Sequence, residues 1–331
     1  MGISLSVAAE SWPIAGSFTI SRGSRTEARV VVATLHLSGA TGRGECVPYP
    51  RYGESVEGVV ALIEAQAAWL ASQPSARQAR LGLLDRLKPG AARNALDCAL
   101  WDLEAKQANI PVWQLAGLSA PADAVTAYTL SLGTPESMRE AAQKAAHRPL
   151  LKVKLGGAGD PARIAAVREG APESSLIVDA NEAWTDDLLE PCLAACRAAG
   201  VELIEQPLPA GKDDALTGLD AGILLCADES VHDRSTLDAL ATRYQAINIK
   251  LDKTGGLTEA IAMADAADAR GLKLMIGCMV GTSLAMAPAL LLAGKASYVD
   301  LDGPLLLAKD RDPGLSFSGS RISPALAALW G

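Results

Sequence analysis

Five short apolar runs between residues 151 and 250 each carry a charged residue at or next to their carboxyl end, and their order constrains the fold more than anything else in the chain. Leu151-Lys152-Val153-Lys154-Leu155 carries lysines at alternate positions, which share one face of an extended strand. Leu176-Ile177-Val178-Asp179, Val201-Glu202-Leu203-Ile204-Glu205 and Leu224-Leu225-Cys226-Ala227-Asp228 each end in a carboxylate, and Ala246-Ile247-Asn248-Ile249-Lys250 ends in a lysine. From Lys154 onward the steps are 25, 26, 23 and 22 residues, with helical stretches such as 186–199 and 257–270 in the intervals. A strand–helix repeat of this length lays parallel strands side by side. Strands are expected at 126–132, 151–155, 176–179, 203–205, 224–227, 246–249, 272–276 and 298–301. Eight such units suggest an α/β barrel, here shorter than the usual ~250 residues and so with a modified end and an outer layer irregular in part.

The first 115 or so residues have another rhythm. A strand over 3–8, a polar loop over 21–26, a strong β run at 29–37 with a hairpin into Glu45-Cys46, and helices over 55–70 and 91–108 indicate a small α+β unit. The tail from Pro304, with a short β-like piece at 315–318, is expected to pack back on that unit.

Composition excludes several function classes. A net charge of −8 offers no basic footprint for nucleic acid. The longest apolar run, 284–293, contains Pro288 and is too short to span a bilayer. No basic region precedes an apolar one at the start, so a cytoplasmic protein with reduced cysteines is expected. Met1-Gly2-Ile3-Ser4-Leu5-Ser6 fits the loose N-myristoylation pattern, but it reads better as an edge strand. Three histidines, His36, His147 and His232, lie far apart and give little material for a zinc site or a Ser-His-Asp triad.

In α/β barrels the reactive groups stand at the carboxyl ends of the strands. Asp179, Glu205 and Asp228 close three consecutive strands and so converge. One strand-end carboxylate is easily a cap or a solvated loop residue; three in register are not. Unpaired, they would repel one another, and a hard divalent cation with oxygen ligands, Mg2+ above all, relieves the repulsion. Lys152 beside Lys154 makes each ammonium easier to deprotonate.

The K-x-K strand, the Asp-Glu-Asp series and the later lysine resemble the enolase superfamily and, within it, the muconate-lactonizing subgroup. Ala91-Ala92-Arg93-Asn94-Ala95-Leu96-Asp97, Val178-Asp179-Ala180-Asn181-Glu182, Glu205-Gln206-Pro207-Leu208, Ala227-Asp228-Glu229-Ser230, Asn248-Ile249-Lys250-Leu251-Asp252-Lys253-Thr254-Gly255-Gly256 and Asp300-Leu301-Asp302-Gly303-Pro304 are similar to phrases of the dipeptide epimerases that act on L-Ala-D/L-Glu. The resemblance covers nearly the whole chain. It implies an N-terminal α+β capping domain at 1–118, with the 304–331 tail packed back on it, over a modified (β/α)7β TIM barrel at 119–303. It further implies one Mg2+ per subunit, with Mn2+ as a substitute, held by Asp179, Glu205 and Asp228 and chelated by the substrate's α-carboxylate. Lys154 and Lys250 would stand on opposite faces of the α-carbon, one removing the proton and the other returning it, through an enediolate that Lys152 also contacts. Asn181 and Glu229 would support the ion's ligands. Asp300 and Asp302 would hold the free α-ammonium of a dipeptide. One of two arginines in the 20s loop, Arg22 before Arg25, would pair with a glutamate side chain of the substrate.

The expected activity is therefore epimerisation at the C-terminal residue of L-Ala-D-Glu or L-Ala-L-Glu, in murein peptide recycling. The alternative is another enzyme of the subgroup: an N-acylamino acid racemase, an o-succinylbenzoate synthase or a cycloisomerase. A homo-oligomer is left open. Gly157-Ala158-Gly159-Asp160-Pro161-Ala162, with Asp179 some 20 residues on, also fits a loose dinucleotide fingerprint. That reading leaves the ordered lysines and carboxylates unexplained.

Overall fold

The computed structural model describes residues 2–331; Met1, which opens the acylation pattern, lies outside them. The N-terminal unit is a three-stranded antiparallel sheet, β1 (Ser4–Ile20), β2 (Gly23–Leu37) and β3 (Ala40–Cys46). Four helices follow, α1 (Val56–Glu64), α2 (Ala67–Ser72), α3 (Ala76–Arg86) and α4 (Ala91–Ala108).

Two details differ from the sequence reading. The first strand does not stop near residue 8 but runs to Ile20, pairing with β2 from Ser4↔His36 to Ile20↔Gly23 with a register shift between Pro13 and Phe18. The polar stretch 21–26 is thus the tip of a long hairpin, with its turn at Ser21–Arg22 and Gly23 at φ +134°. Both faces of the tip are exposed, so it lacks the alternation that betrays a strand. The helix expected over 55–70 breaks at Ala65–Gln66 into α1 and α2, although the apolar spacing continues through the break to bury both Ile63 and Leu70.

Helix α4 has the expected bounds and joins two cores. Leu96 and Leu100 pack in the N-terminal core, while Cys98 and Trp101 belong to the barrel core. A Cβ at Gly42 or Gly44 would come within 2.2 Å of the Ala99 or Ala95 carbonyl oxygen, so glycine there lets α4 rest on the backbone of β3.

The rest of the chain alternates. After α5 (Val112–Leu115) and β4 (Ala124–Val125) come β5 (Tyr128–Leu130), β6 (Leu150–Lys154), β7 (Ser175–Asp179), β8 (Val201–Glu205), β9 (Leu224–Ala227), β10 (Ala246–Ile249), β11 (Lys273–Gly277) and β12 (Tyr298–Asp300). Strands β5 to β12 form one parallel sheet in sequence order. A hydrogen bond from Ala127 N to Val299 O brings its edges together into a barrel. The outer layer consists of α6 (Pro135–Ala145), α7 (Asp160–Gly170), α8 (Asp186–Ala198), α9 (Leu237–Leu240), α10 (Leu251–Thr254), α11 (Leu257–Asp268) and α12 (Ser283–Leu290), with α13 (Gly303–Leu306) after β12. Between β8 and β9 only a 3-10 turn remains. The tail forms β13 (Phe317–Ser318) and β14 (Arg321–Ile322), an antiparallel pair that joins β4 through β14, and then reaches the N-terminal unit, where Trp330 Nε1 donates to Cys98 O at 3.0 Å. Among the described residues no helix is long and apolar enough to cross a membrane.

Candidate active site

Register builds the site. Lys154 pairs with Asp179, Asp179 with Glu205 and Glu205 with Cys226, so Lys154, Asp179 and Glu205 lie at one level and Asp228 stands two residues beyond it. Side chains two residues apart on a strand share a face. Accordingly Ile177, Leu203, Cys226 and Ala246, together with Ala127 and Met275, form a separate buried apolar cluster beneath the charged layer. Low-dielectric packing below and the N-terminal unit above leave these charges little water, which strengthens each interaction among them.

The ammonium groups lie against the carboxylates. Lys152 Nζ is 2.5 Å from Glu205 Oε2, 2.7 Å from Asp300 Oδ2 and 3.3 Å from Asp179 Oδ2. Lys154 Nζ is 2.6 Å from Asp179 Oδ2, and Lys250 Nζ is 2.6 Å from Asp228 Oδ2 and 3.5 Å from Glu205 Oε1. Both lysines of the K-x-K pair therefore face the same side. Burial pushes the Lys152 ammonium down, but Asp300, Glu205 and Asp179 outweigh it and hold it well above its ordinary value. Burial also works against Lys250, where Asp228 and Glu205 prevail in the same direction over the like charge of Lys152. At Lys152, then, the depression by like charge read from the sequence is overridden by the surrounding carboxylates. Asp179 and Asp228 resist burial and stay low because Lys154 and Lys250, respectively, stand beside them.

As they stand, no three acidic, His or Cys side chains among the described residues converge on a point suited to an ion, because the lysines draw the carboxylates apart. The donor chemistry nevertheless fits one. Buried acceptors without an aligned hydrogen bond gather here: Asn181 Oδ1, Glu205 Oε2, Glu229 Oε2, Asn248 Oδ1 and Asp300 Oδ1. Buried acceptors normally find a partner; Glu205 Oε2 has the Lys152 ammonium beside it, and the other four, on buried carboxylates and amides, are oxygens short of donors, which suit a hard cation. Holding it requires Asp179, Glu205 and Asp228 to turn from the ammonium groups toward a common point.

A cavity opens above this layer between barrel and N-terminal unit. Lys154, Lys250, Asp228, Asp300, Asp302 and Arg25 are among its walls. Asp302 accepts from Thr129 N at 2.7 Å; burial first, and Asp300 next, push its carboxyl up to about 7. Arg25 lies 5.4 Å above the Tyr49 ring. The Arg22 guanidinium is engaged with protein groups: Glu229 Oε1 at 2.7 Å, Asn181 O at 3.0 Å, and Glu182 Oε2 and Tyr49 OH both at 3.2 Å. Asn181 follows Asp179 in left-handed backbone and donates its own N–H to Asp179 Oδ1 at 2.9 Å. Glu229 is pushed up to about 7 by burial and then by Asp228 and Asp179.

Three neighbours were not singled out from the sequence. Lys253 Nζ reaches Asp228 Oδ1 at 2.5 Å; Asn248 Nδ2 donates to Glu205 Oε1 at 2.8 Å; Gln206 Oε1 accepts from Asp228 N at 2.9 Å. The first two sit in the phrase around Lys250, and the alternation Asn248-x-Lys250 was the signal that Asn248 points inward. Lys253 carried no such signal, because it reaches back from the first turn of α10.

Residues 2–117 match the model of the mandelate racemase / muconate lactonizing enzyme N-terminal domain, and residues 136–306 match the enolase C-terminal domain-like model. The chain is 47% identical over 315 residues to the L-Ala-D/L-Glu epimerase of Escherichia coli K12, covering 95% of this chain and 97% of that one. It is 48% identical over 291 residues to the N-acetyl-D-glutamate racemase of a Pseudoalteromonas species, covering 88% and 91%. A crystal structure from Agrobacterium tumefaciens, an enolase family member with homology to dipeptide epimerases, superposes with a TM-score of 0.96 at 54% identity over 99% of this chain and 100% of that one. It holds sodium and L-Ala-L-Glu with an ordered loop. Further dipeptide epimerases of this fold were solved with Mg and a dipeptide.

Proposed function

The chain belongs to the mandelate racemase / muconate lactonizing enzyme family of the enolase superfamily, and on that premise we propose that it is a Mg2+-dependent dipeptide epimerase, an isomerase that inverts the α-carbon of the C-terminal residue of L-Ala-D-Glu and L-Ala-L-Glu. One observation carries this reading. Two buried lysines from separate strand ends, Lys154 and Lys250, line the same cavity as the buried acid pair Asp300 and Asp302. Lysines on two sides of a carbon suit proton transfer between its faces, and a buried acid pair suits a substrate ammonium.

Mg2+, when bound by Asp179, Glu205 and Asp228, supplies positive charge for the carboxylate oxygens of the substrate as its α-proton leaves. Lys154, as the neutral amine, takes that proton on one face. Lys250, as ammonium, gives one back on the other, and the reverse direction exchanges the roles. Lys152, fixed among Glu205, Asp300 and Asp179, places a further ammonium beside the growing carboxylate charge. Asn181 and Glu229 hold the ligand loops. Asp300 and Asp302 hold the substrate ammonium, which separates a dipeptide from an N-acyl substrate that has none. Arg25 meets the glutamate side chain, because Arg22 is engaged with Glu229, Glu182, Asn181 O and Tyr49. A cytoplasmic role in recycling wall peptides belongs to this reading.

The test is NMR of the protein with Mg2+ and L-Ala-L-Glu in D2O. Deuterium is expected at the glutamate α-carbon together with accumulating L-Ala-D-Glu; Lys154→Ala and Lys250→Ala each lower the rate by at least ~10²-fold. Exchange with N-acetyl-L-glutamate and none with the dipeptide would overturn the substrate assignment.

A further inference from the structure

Glu182 has no place in the chemistry above and does not line the cavity, yet it is one of the most heavily engaged carboxylates in the molecule. Left-handed backbone at Asn181 and Glu182, φ +46° and +66°, turns the chain sharply after β7. Oε2 then receives Arg51 Nε at 2.8 Å and Arg22 Nη1 at 3.2 Å; Oε1 receives Arg51 Nη2 and Ala210 N, at 2.8 and 2.9 Å. Arg51 sits in the 3-10 turn Pro50–Tyr52 and Arg22 in the turn of the β1–β2 hairpin. One barrel carboxylate therefore gathers both segments of the N-terminal unit that overhang the cavity. The Glu182 side chain is only 10% exposed, so its pairs are less screened than surface ones, and the bidentate fork from Arg51 fixes its direction.

Besides Glu182, the tip is tied to the barrel by Arg22, which donates to Glu229 Oε1 at 2.7 Å and to Asn181 O at 3.0 Å, and by three further bonds: Leu132 N donates to Thr19 O at 2.9 Å, Thr19 N to Ser131 Oγ at 3.3 Å and Ser21 Oγ to Asn181 O at 3.1 Å. Both faces of the tip are exposed, and such a segment opens locally at low cost unless charge or packing holds it.

We propose that Glu182 is the positioning residue of an ion-pair latch, which with Arg51 and Arg22 holds the hairpin tip closed over the cavity and whose release admits and frees the substrate. Arg22, spent on the latch, leaves Arg25 on the same tip free for ligand, so latch closure and substrate side-chain recognition occur together. The kinetic part of the inference rests on the assignment of the cavity as the epimerase site; the structural part does not.

Amide hydrogen exchange over residues 19–26 of the full-length protein tests the latch, comparing the parent with Glu182→Gln, Arg51→Ala and the double variant. Glu182→Gln is expected to speed exchange at the tip about tenfold while barrel strands keep their protection, and to raise KM about tenfold with kcat held or increased. Arg51→Ala acts in the same direction, and the double variant is no worse than Glu182→Gln, because both remove one contact. Unchanged tip exchange, or faster exchange across the whole chain, overturns the latch; so does a strictly additive double variant. Exchange is read without substrate, so failure of the dipeptide assignment leaves this result standing, and a normal tip in an active epimerase sinks the latch alone.

Discussion

The Lys253 ammonium grips Asp228 twice, 2.5 Å from Oδ1 and 2.6 Å from the carbonyl oxygen of the same residue, while Asn248 O accepts it at 2.9 Å. Lys250 takes the other carboxylate oxygen, Oδ2, at 2.6 Å. Lys253 thus fixes the direction of a carboxylate assigned to the metal without reaching the cavity wall itself. Lys253→Met leaves Asp228 half-paired in a dry setting. The expected cost is about 3 kcal/mol of stability and a loss of Mg2+ affinity of at least ~10-fold. Urea unfolding and titration calorimetry measure the two, and Mg2+ affinity equal to the parent's would show that Asp228 needs no such guide.

Asp97 sits on α4 where the two cores meet, accepting from Thr258 Oγ1 at 2.6 Å and Thr258 N at 2.9 Å. Burial pushes its carboxyl up to about 6. The folded chain then binds the proton more tightly than the unfolded one, whose aspartates titrate near ~3.9. This contribution to stability is complete below about pH 4 and is lost as the pH rises through about 6, a change of about 3 kcal/mol. Asp252, pushed up to about 7 mainly by burial, adds in the same sense. Between pH 4.5 and 8 the parent should lose stability, and Asp97→Asn should lose less by roughly 2 kcal/mol. Urea midpoints across that range decide; parallel curves would remove Asp97 from the account.

The barrel was legible because its signal repeats. Five successive strands carry a charge at or next to their carboxyl end, the spacing recurs, and parallel register then needs only the alternation of the strand to bring Lys154, Asp179 and Glu205 to one level. The hairpin tip was not legible, since residues 21–26 have no buried face and hence no periodicity. For the same reason the sequence offered no physical ground for putting Arg22 before Arg25; a three-dimensional census of partners favours the reverse order. Lys253 and Glu182 were hidden differently. Both lie in phrases that the family resemblance picked out, but their carboxylate or guanidinium partners, Asp228 and Arg51, are 25 residues away or more, and no local pattern records a contact across such a span. For Lys152 the ordinary reading of a K-x-K pair, depression by like charge, is outweighed by the carboxylates of neighbouring strands, which no local pattern shows.

Asp302 gives the proposed substrate specificity a pH signature. Its carboxyl is fully buried and, pushed up to about 7 by burial and then by Asp300, is half-protonated near neutrality. Lys152 faces Asp300 from β6, Thr129 N faces Asp302 from β5, and Cys278 stands nearby after β11. Below about pH 7 the pair loses one negative charge and holds an ammonium less well. KM for the dipeptide should rise as the pH falls from 8 to 6. Asp302→Asn keeps an acceptor for Thr129 N but has no proton to gain; its KM should be about tenfold higher at pH 8 and nearly flat. A variant that retains the parent's slope would assign the titration to another group, with Glu229 the first to examine.

Arg25 and Arg22 differ by three positions on the hairpin, and both line the cavity and lie over the Tyr49 ring, at 5.4 and 5.9 Å; what separates them is that Arg22 also meets two carboxylates, a backbone carbonyl and a phenol. A charge-assisted pair lost on substrate binding costs about 1.5–3 kcal/mol, or roughly 10–100-fold in kcat/KM. Arg25→Ala should lose that factor with L-Ala-L-Glu and very little with L-Ala-L-Leu, whose side chain has no charge to pair. Arg22→Ala should weaken both dipeptides alike, because a loosened tip covers either one poorly. Steady-state kinetics with the two dipeptides and the two variants make a square of four ratios. Selectivity lost with Arg22→Ala and kept with Arg25→Ala would exchange the roles of the two arginines and leave Glu182 holding the very residue that reads the substrate.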